Sequence, residues 1–417
     1  MAESPRNPFE TSVWIIIALV AALNLMRPFF PDLVQLTPSD FAQFWQAGVF
    51  WTEGRSPFAD DYAQTVLVEG FKTHPFFYPP HLRFLFQPLG YLPFEAARLA
   101  FVVFNVALWA GIAWSVSRRL PGGFSPLAAF TLTFAATSFA LNHVRISVEL
   151  GSTLGLLVAG AVLLHEGVLR RRTSLTAAGL VLLFLKPPLG VAALAVLVFQ
   201  RNQWRGMTYG MAALGALCLV GCDFAVIDSL TSYLANVTAY RDYPQNSDLL
   251  STGLGAVLAA LGAPFPATAL LGPVLAACAA IGYVARSSPE RALFASFAVL
   301  VFFTPGHGFD FTVLVPFIPL ALSLSPKPLL PVAGLFALFQ ISAISRVLVS
   351  YGIDPFREDA IRTLGDGGLS FLALATFIET LAYGGVTALA IVLALRTGGI
   401  VRSGPRVSRR MDSPQAL

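Results

Sequence analysis

Residues 174–200 read SLTAAGLVLLFLKPPLGVAALAVLVFQ, an apolar segment that is broken near its centre by Lys186, Pro187 and Pro188. A helix needs about 20 residues to cross a bilayer, and proline breaks a helix interior. The segment therefore predicts two half-length helices that meet at Lys186. Arginines flank it on both sides, and basic residues favour the cytoplasmic side of a membrane. Because both ends then lie on one side, we expect the segment to enter the membrane and return.

The composition of the whole chain indicates a membrane protein. Of the 417 residues, 56% are hydrophobic and only 12% are charged, which is too apolar for a soluble globular domain. We predict an all-α polytopic membrane protein, a bundle of about 10–12 transmembrane helices, some of them broken or re-entrant. Candidate spans lie at residues 13–31, 97–117, 125–142, 150–169, 207–228, 264–285, 328–348 and 370–395. A second apolar pair, 291–304 and 310–324, has basic residues at both ends and predicts another hairpin.

The distribution of charge predicts the orientation of the chain. Residues 1–12 form a cytoplasmic N-terminus, residues 13–395 form one membrane domain, and residues 396–417 form a basic cytoplasmic tail that we expect to be disordered. Polar residues then gather on the outer side, where residues 32–96 form the first loop. The net charge of +4 follows from this topology, so no nucleic-acid partner is expected. We predict a multi-pass protein of the plasma (inner) membrane.

The first outer loop contains SDFAQFWQAG, in which Asp40 is surrounded by aromatic residues. Phe41, Phe44, Trp45 and Gly48 recur at helical spacing, which predicts a short amphipathic helix lying in the outer interface. Asp40 lies near its start. On these residues alone, Ser39 or Asp40 is best explained as the N-cap of that helix.

The same loop continues with FFYPPHLRFLFQPLGYLP, whose prolines exclude one long helix. Tyr78 precedes a proline and should be extended. Two interpretations stay open, namely an interfacial or re-entrant segment that shapes a groove, and a rigid connector.

Lys186 is energetically unfavourable near the centre of this apolar segment. A lysine at the centre of a membrane segment costs about 2.5–3.5 kcal/mol, so it should face a cavity or an anionic partner such as a phosphate. The alternative is a lysine whose ammonium reaches the outer headgroups.

Two further outer segments carry polar candidates. The segment PGHGFDF has glycines on both sides of His307, with Asp310 three residues later, and an imidazole there can donate to a phosphate or sugar oxygen. These two residues do not specify a metal site. In AYRDYP, Arg241 and Asp242 are candidates for binding an anion and hydroxyl groups, and the alternative is a solvated loop.

The sequence lacks the motifs of soluble enzymes. It has no Walker phosphate loop, no Gly-x-Ser-x-Gly elbow, no His-Glu-x-x-His and no detectable repeat of the kind found in many transporters. Without a nucleotide-binding loop, any transfer chemistry must use a donor that is already activated. Lipid-linked sugars at the outer face of a membrane meet that requirement.

The order of these motifs resembles a known family. The series SDFAQFWQAGVFWTEGRSPF, FFYPP with PLGYLP, LKPPLG followed by a basic turn, and HGFDFTVLVP is similar to glycosyltransferase family 87, the polyprenol-phosphate-sugar-dependent integral membrane transferases. The resemblance runs from about residue 39 to 320. It implies a GT-C fold, which is a bundle of transmembrane helices with the active site in an extracytoplasmic cavity.

The resemblance carries over residue by residue. The family's aspartate near the outer end of the first helix matches Asp40, its Lys-Pro matches Lys186-Pro187, and its His-x-[Tyr/Phe]-Asp begins at His307. Two departures bear on specificity. Where many members have Gly-Gln or Gly-Asn this chain reads VELGSTLG, so Glu149 or Ser152 takes that place, and Pro188 stands where Gln or His is common.

The roles that the resemblance implies are those of a mannosyltransferase-like enzyme. Asp40 is the expected general base of an inverting transfer from a polyprenyl-phosphate hexose, with mannose favoured, to a lipid or glycan acceptor. The expected donor-phosphate ligands are Lys186, His307 and Arg241. The expected substrate contacts are Phe44, Trp45, Tyr78, Glu149 and Asp310. No metal or other cofactor is expected, and the partners are membrane lipid, donor and acceptor. A transporter or flippase of cell-envelope precursors and a noncatalytic assembly subunit stay open as alternatives.

Overall fold

A computed structural model of the chain describes residues 39–68, 75–120, 129–130, 133, 148, 150–239, 253–254, 267–304, 308–323, 380–381 and 383–395. The predictions for residues 1–12, for the spans 13–31 and 328–348, for most of 125–142 and for the tail 396–417 lie outside these residues. The regular elements of the described part are all helices, which agrees with the predicted all-α class.

Twelve α-helices and three 3-10 helices are described. The α-helices are α1 (Ser39–Thr52), α2 (Arg83–Gly90), α3 (Phe94–Ser117), α4 (Leu154–Arg170), α5 (Thr173–Leu183), α6 (Pro187–Leu197), α7 (Trp204–Gly221), α8 (Val226–Ala239), α9 (Ala267–Val284), α10 (Pro289–Phe303), α11 (Ile318–Ser323) and α12 (Tyr383–Leu395). The 3-10 helices are Pro80–Leu82, Arg201–Gln203 and Gly308–Phe317. The helices predicted within 97–117, 150–169 and 264–285 are confirmed as α3, α4 and α9.

The hairpin predicted over residues 174–200 forms as α5 and α6. Lys186 stands between the two helices with an extended backbone, φ −118° and ψ 97°. At the other end, the Gln203 side chain binds the Thr176 hydroxyl at 2.8 Å and donates to the Val168 carbonyl at 3.5 Å. Because these bonds hold the residues after α6 beside the start of α5, both ends of the hairpin lie at the same end of the bundle.

Helices α3 and α4 run parallel, which defines two ends of the bundle. Gly155, in the first turn of α4, lies 3.0 Å from Asn105 Oδ1 as measured from its Cβ position. Arg119, just after α3, forms an ion pair at 3.2 Å with Glu166, near the end of α4. We call the end at which α3 and α4 begin the Asp40 end, and the end at which they finish the arginine end, after Arg119 and Arg170.

Helices α4 and α5 pack closely through glycines. A Cβ at Gly179 would lie 2.5 Å from the Leu164 backbone nitrogen, and a Cβ at Gly160 would lie 2.8 Å from the Cβ of Leu182. Gly160 is six residues from the start of α4, and a helix rises 1.5 Å per residue. The tip of the α5–α6 hairpin at Lys186 therefore lies within about 10 Å of the start of α4 along its axis, toward the Asp40 end.

Buried ionic contacts hold the arginine end together. Glu166 is buried and pairs with Arg170 at 2.6 Å in addition to Arg119. The Arg119 guanidinium also contacts the ring of His165, and Glu290 of α10 lies 4.0 Å from the other nitrogen of that ring. These contacts join the ends of α3 and α4 to the start of α10.

The second predicted hairpin also returns to its starting end, although its second limb is not α-helical. The Phe317 ring stacks on Phe294, in the second turn of α10, at 5.4 Å. The limb expected over 310–324 is a 3-10 helix through Phe317, with Pro316 inside it, and becomes α-helical only in α11.

The span predicted at 207–228 is confirmed as helix only through Gly221 and is wrong over its last seven residues. The helix ends at Gly221, and α8 departs from α7 at 93°. Asp223 and Phe224 both have left-handed backbones, with φ 49° and 62°, which ends the helix. Such residues are uncommon outside glycine, so the sequence offered no signal for this bend.

One described helix, α3, is long and apolar enough to cross a membrane. The bent pair Arg201–Gly221 and Val226–Thr238 would add a second if its two arms formed one broken span. Buried helices of soluble proteins can meet the same criterion. The predicted set of 10–12 spans therefore stays a prediction.

Candidate active site

Asp40 lies in the first turn of α1, a helix that begins at Ser39. A carboxylate in the first turn is stabilised by the positive end of the helix dipole. The Asp40 side chain is half-buried. The helix that the aromatic spacing predicts is therefore confirmed, with Asp40 at its predicted position near the start.

The amphipathic character expected of α1 is not found. Gln43 and Gln46 would form its polar face, yet they are only 6% and 1% exposed. The Gln46 amide donates to the carbonyls of Tyr62 and Thr65 at 3.0 Å, and the Tyr62 hydroxyl donates to the Gln43 carbonyl at 2.7 Å. The loop that follows α1 covers its polar side chains, so α1 is a buried helix of the bundle and Asp40 is held on a rigid element.

The residue after Asp40 joins three parts of the chain. Phe41 is buried, and its ring lies 5.8 Å from that of Phe94 and 5.2 Å from that of Phe101, both in α3. Gly151 packs directly on the Phe41 side chain with φ +70°, a conformation that glycine adopts without strain. The structure therefore brings Asp40 close to the segment VELGSTLG.

That segment contains the predicted alternatives Glu149 and Ser152. Ser152 is half-buried, and its hydroxyl accepts a bond of 3.4 Å from the Leu154 backbone N–H at the start of α4. Glu149 lies outside the described residues. Of these two residues, the structure describes only Ser152, which lies next to Gly151.

Phe44 is a core residue in this structure. It has no exposed surface, its ring stacks on Phe86 at 4.3 Å, and its edge meets Tyr78 at 4.5 Å. In this structure the ring is covered by its neighbours, so the expectation that Phe44 contacts substrate stays a prediction. The Phe44 ring contacts the Tyr78 ring and so helps to hold Tyr78 in place.

Trp45 holds α1 against the turn before α3. Its indole N–H donates to the Leu92 carbonyl at 2.9 Å, and its ring meets Phe94 at 5.3 Å. The N–H is therefore already used by the protein, and any substrate contact of Trp45 must come from the ring.

Tyr78 belongs to the predicted break in FFYPP. Pro79 is extended, with φ −69° and ψ 150°, and Pro80 begins the short 3-10 helix. The prediction that the prolines exclude one long helix is confirmed, although Pro88 is accommodated inside α2. Tyr78 is half-buried, so part of its surface is accessible.

The segment around Tyr78 is anchored to α7 and α8. Arg83 pairs with Asp223 and donates to the Val220 carbonyl at 3.1 Å, and Asn236 donates to the Phe76 carbonyl at 3.1 Å. These contacts favour the rigid-connector interpretation of the segment.

His81 is buried in the same segment. Its Nδ1 lies 4.0 Å from Cys218 Sγ, and burial lowers its pKa to about 4. The imidazole is therefore neutral near pH 7 and does not supply positive charge to a phosphate. His81 was not among the predicted site residues. The available signal was a single histidine between two apolar segments that are bounded by prolines.

Lys186 carries its charge at the start of α6. Its carbonyl accepts the N–H of Leu189 at 2.9 Å and that of Gly190 at 3.3 Å, while Pro187 and Pro188 have no N–H. The backbone donors that usually bind anions at a helix start are thus absent or already used. Anion binding here would depend on the half-buried ammonium and on the helix dipole.

The side chains of the other predicted site residues are not described. Arg241 and His307 lie outside the described residues. Asp310 lies in the 3-10 helix Gly308–Phe317, and only its backbone is described. Among the described residues, no three His, Cys, Asp or Glu side chains are grouped so as to hold a metal ion.

The family model of glycosyltransferase family 87 matches residues 76–306, which is more than half of the chain. The matched region includes Tyr78 and Lys186, whereas Asp40 precedes it and His307 follows it. No curated protein matches the chain.

Proposed function

Because the chain belongs to glycosyltransferase family 87 and is therefore a glycosyltransferase, we propose that it moves a hexose, with mannose favoured, from a polyprenyl-phosphate donor to a lipid or glycan acceptor. The absence of nucleotide-binding motifs from the sequence supports a lipid-linked donor. A polyprenyl phosphate is a good leaving group, so such a donor needs no further activation.

The observation that carries the proposal is the setting of Asp40. The carboxylate is half-buried in the first turn of a helix whose Gln46 side chain is hydrogen-bonded within the protein. Phe41 fixes that turn against α3 and against Gly151. A catalytic base needs such a fixed position, because the rate falls steeply when the reacting atoms are misplaced.

Asp40 acts as the general base. It takes the proton of an acceptor hydroxyl while the hydroxyl oxygen forms a bond to the anomeric carbon of the donor. The bond from that carbon to the phosphate oxygen breaks in the same step, and the bonding electrons leave with the polyprenyl phosphate. A single displacement of this kind inverts the configuration at the anomeric carbon.

Lys186 stabilises the departing phosphate. Negative charge grows on the phosphate oxygens during the reaction, and a fixed cation there lowers the barrier. The α5–α6 tip extends toward the Asp40 end, which supports this role. We propose His307 and Arg241 as further phosphate ligands and Glu149, Asp310 and Tyr78 as contacts to sugar or acceptor. No metal is required by this scheme.

The distribution of charge and the apolar helix α3 support a membrane setting. We propose a multi-pass protein of the plasma membrane, with the arginine end in the cytoplasm and the Asp40 end on the extracytoplasmic side. The donor and acceptor lipids then reach Asp40 from the outer leaflet. A transporter or flippase is not favoured, because the family is one of sugar transfer.

The test compares Asp40→Asn with Asp60→Asn. Asp60 is an exposed carboxylate in the loop after α1, so it controls for the loss of one charge in the same region. Purified protein in lipid is given radiolabelled polyprenyl-phosphate mannose and a membrane lipid extract. We expect Asp40→Asn to lower label transfer by about 100-fold or more with donor binding retained, because general bases contribute about 10²–10⁴-fold.

Two results would contradict this proposal. Equal transfer by Asp40→Asn and Asp60→Asn would exclude Asp40 as the base. Absence of transfer by the wild-type protein from mannose, glucose and arabinose donors alike would exclude the proposed donor class.

A further inference from the structure

The arginine end carries an exposed group of cations that the proposed reaction does not use. Between residues 151 and 222 the chain has one carboxylate, Glu166, which is buried and paired. The same stretch contains four exposed arginines near the ends of the α5–α6 hairpin: Arg171, Arg172, Arg201 and Arg205. Within the described part of the chain, these four have no hydrogen bond or ion pair from their side chains. We call them the basic patch.

The fold brings the two halves of the basic patch together. Gln203 lies between Arg201 and Arg205. Its side chain accepts a hydrogen bond of 2.8 Å from the Thr176 hydroxyl and donates one of 3.5 Å to the Val168 carbonyl, and these two residues flank Arg171 and Arg172. Gly206 packs against Thr173, 3.1 Å from its carbonyl as measured from the Cβ position. Like charges therefore lie on neighbouring segments, and within residues 151–222 no exposed carboxylate offsets them, an arrangement that favours the binding of an anion.

The surroundings of the basic patch indicate which anion it meets. Trp204, which lies between Arg201 and Arg205, is 48% exposed, and Tyr209, one turn after Arg205 on α7, is 61% exposed. Trp and Tyr are enriched at the boundary between membrane and water. Leu169 and Val198 beside the patch are each 45% exposed. A soluble anionic partner would not account for apolar and aromatic side chains next to the cations, whereas a lipid surface accounts for both.

We propose that the basic patch binds the phosphate groups of anionic phospholipids in the leaflet opposite the Asp40 end. A guanidinium group can bind two phosphate oxygens at once. In this arrangement Trp204 and Tyr209 lie at the level of the headgroups. This inference uses the membrane location proposed above, but not the sugar donor or the role of Asp40. Helix α4, about 25 Å long, separates the two surfaces.

The test measures lipid binding to the full chain, purified in a nonionic detergent. Bound phosphatidylglycerol and phosphatidylcholine are counted by native mass spectrometry over a series of lipid concentrations. The variant Arg172→Gln/Arg205→Gln is compared with Arg55→Gln/Arg98→Gln, which removes the same charge from exposed or partly exposed arginines that pair with carboxylates. If the first variant does not fold, Arg171→Gln/Arg201→Gln takes its place.

We expect phosphatidylglycerol to bind the patch variant roughly thirtyfold more weakly than the wild type, because each arginine near an anionic surface contributes about fivefold. The control variant should stay within about twofold, and phosphatidylcholine should bind all forms alike. Equal phosphatidylglycerol binding by the two variants would overturn the proposal. Displacement of the lipid by an equal concentration of inorganic phosphate would also overturn it, since the patch would then recognise free phosphate. Because no sugar donor is present, failure here is distinct from failure of the proposed transferase reaction.

Discussion

The close contact between α4 and α5 allows a sharp test with a single methyl group. In Gly179→Ala the new Cβ would lie 2.5 Å from the Leu164 backbone nitrogen and 2.8 Å from the Gly160 carbonyl oxygen. Carbon atoms pack best at about 3.5–4.0 Å, and a Cβ essentially never lies within 3.0 Å of a non-bonded heavy atom. Both neighbours are backbone atoms of α4, so no side chain can move aside and the two helices must separate by about 1 Å.

The expected loss of stability is the difference between two effects. Overpacking of this kind costs about 1–3 kcal/mol, and replacing glycine by alanine inside a helix recovers up to about 1 kcal/mol. The net destabilisation is then about 1–2 kcal/mol. The control is Gly215→Ala in α7, where the new Cβ meets nothing within 4 Å. That variant gains the helix propensity without the clash and should be at least as stable as the wild type.

The assay heats detergent-purified protein and measures the monodisperse fraction by size-exclusion chromatography. A loss of this size lowers the midpoint temperature by a few degrees, on the order of 2–4 °C per kcal/mol for a mid-sized domain. Lys186 follows Gly179 at the tip of α5, so displacement of α5 should also weaken donor binding. Equal midpoints for Gly179→Ala and Gly215→Ala would refute the close packing of α4 and α5.

Three further predictions test other contacts. Glu166→Gln should destabilise the protein by about 3 kcal/mol, because it leaves the mostly buried Arg119 guanidinium without its carboxylate. Glu95→Gln, which removes a mostly exposed carboxylate, should change the thermal midpoint little. For His81, the pKa of about 4 lies below the usual 6.5 because of burial, so the stability present above pH 6.5 should fall as the pH drops from 6.5 to 4. His81→Gln should remove that part of the slope in midpoints measured from pH 7.5 to 4.5, and an unchanged slope would contradict the burial. Trp45→Phe removes the bond to the turn before α3, so it should lower the thermal midpoint and leave the KM for donor unchanged, whereas a raised KM would give Trp45 a substrate role.

Local signals in the sequence were sufficient for several elements. Proline and lysine at 186–188 predicted the break between α5 and α6, because proline acts on its own turn whatever surrounds it. The aromatic spacing after Asp40 predicted α1, because helical periodicity is also a local signal. Arginines at both ends of 174–200 predicted the return of the hairpin, which the Gln203 contacts confirm.

Features that depend on distant residues were not predicted. The burial of Gln43 and Gln46 comes from the Tyr62 loop, so the sequence of α1 alone suggested a polar outer face. The turn at Asp223 uses left-handed residues without glycine or proline, and composition gives no indication of it. The position of Gly151 against Phe41 joins segments far apart in the chain.

The contact of Gly151 with Phe41 also has a consequence for how the protein is made. Phe41 leaves the ribosome about 110 residues before Gly151, and at about 5–20 residues per second this delay is roughly 5–20 s. During that interval α1 has its local partners but not the segment that closes on it. A nascent chain stopped before Gly151 should therefore keep Phe41 open to a proximity crosslinker, and one extended through α4 should protect it. The surroundings of Asp40 are therefore completed only after α4 has been synthesised.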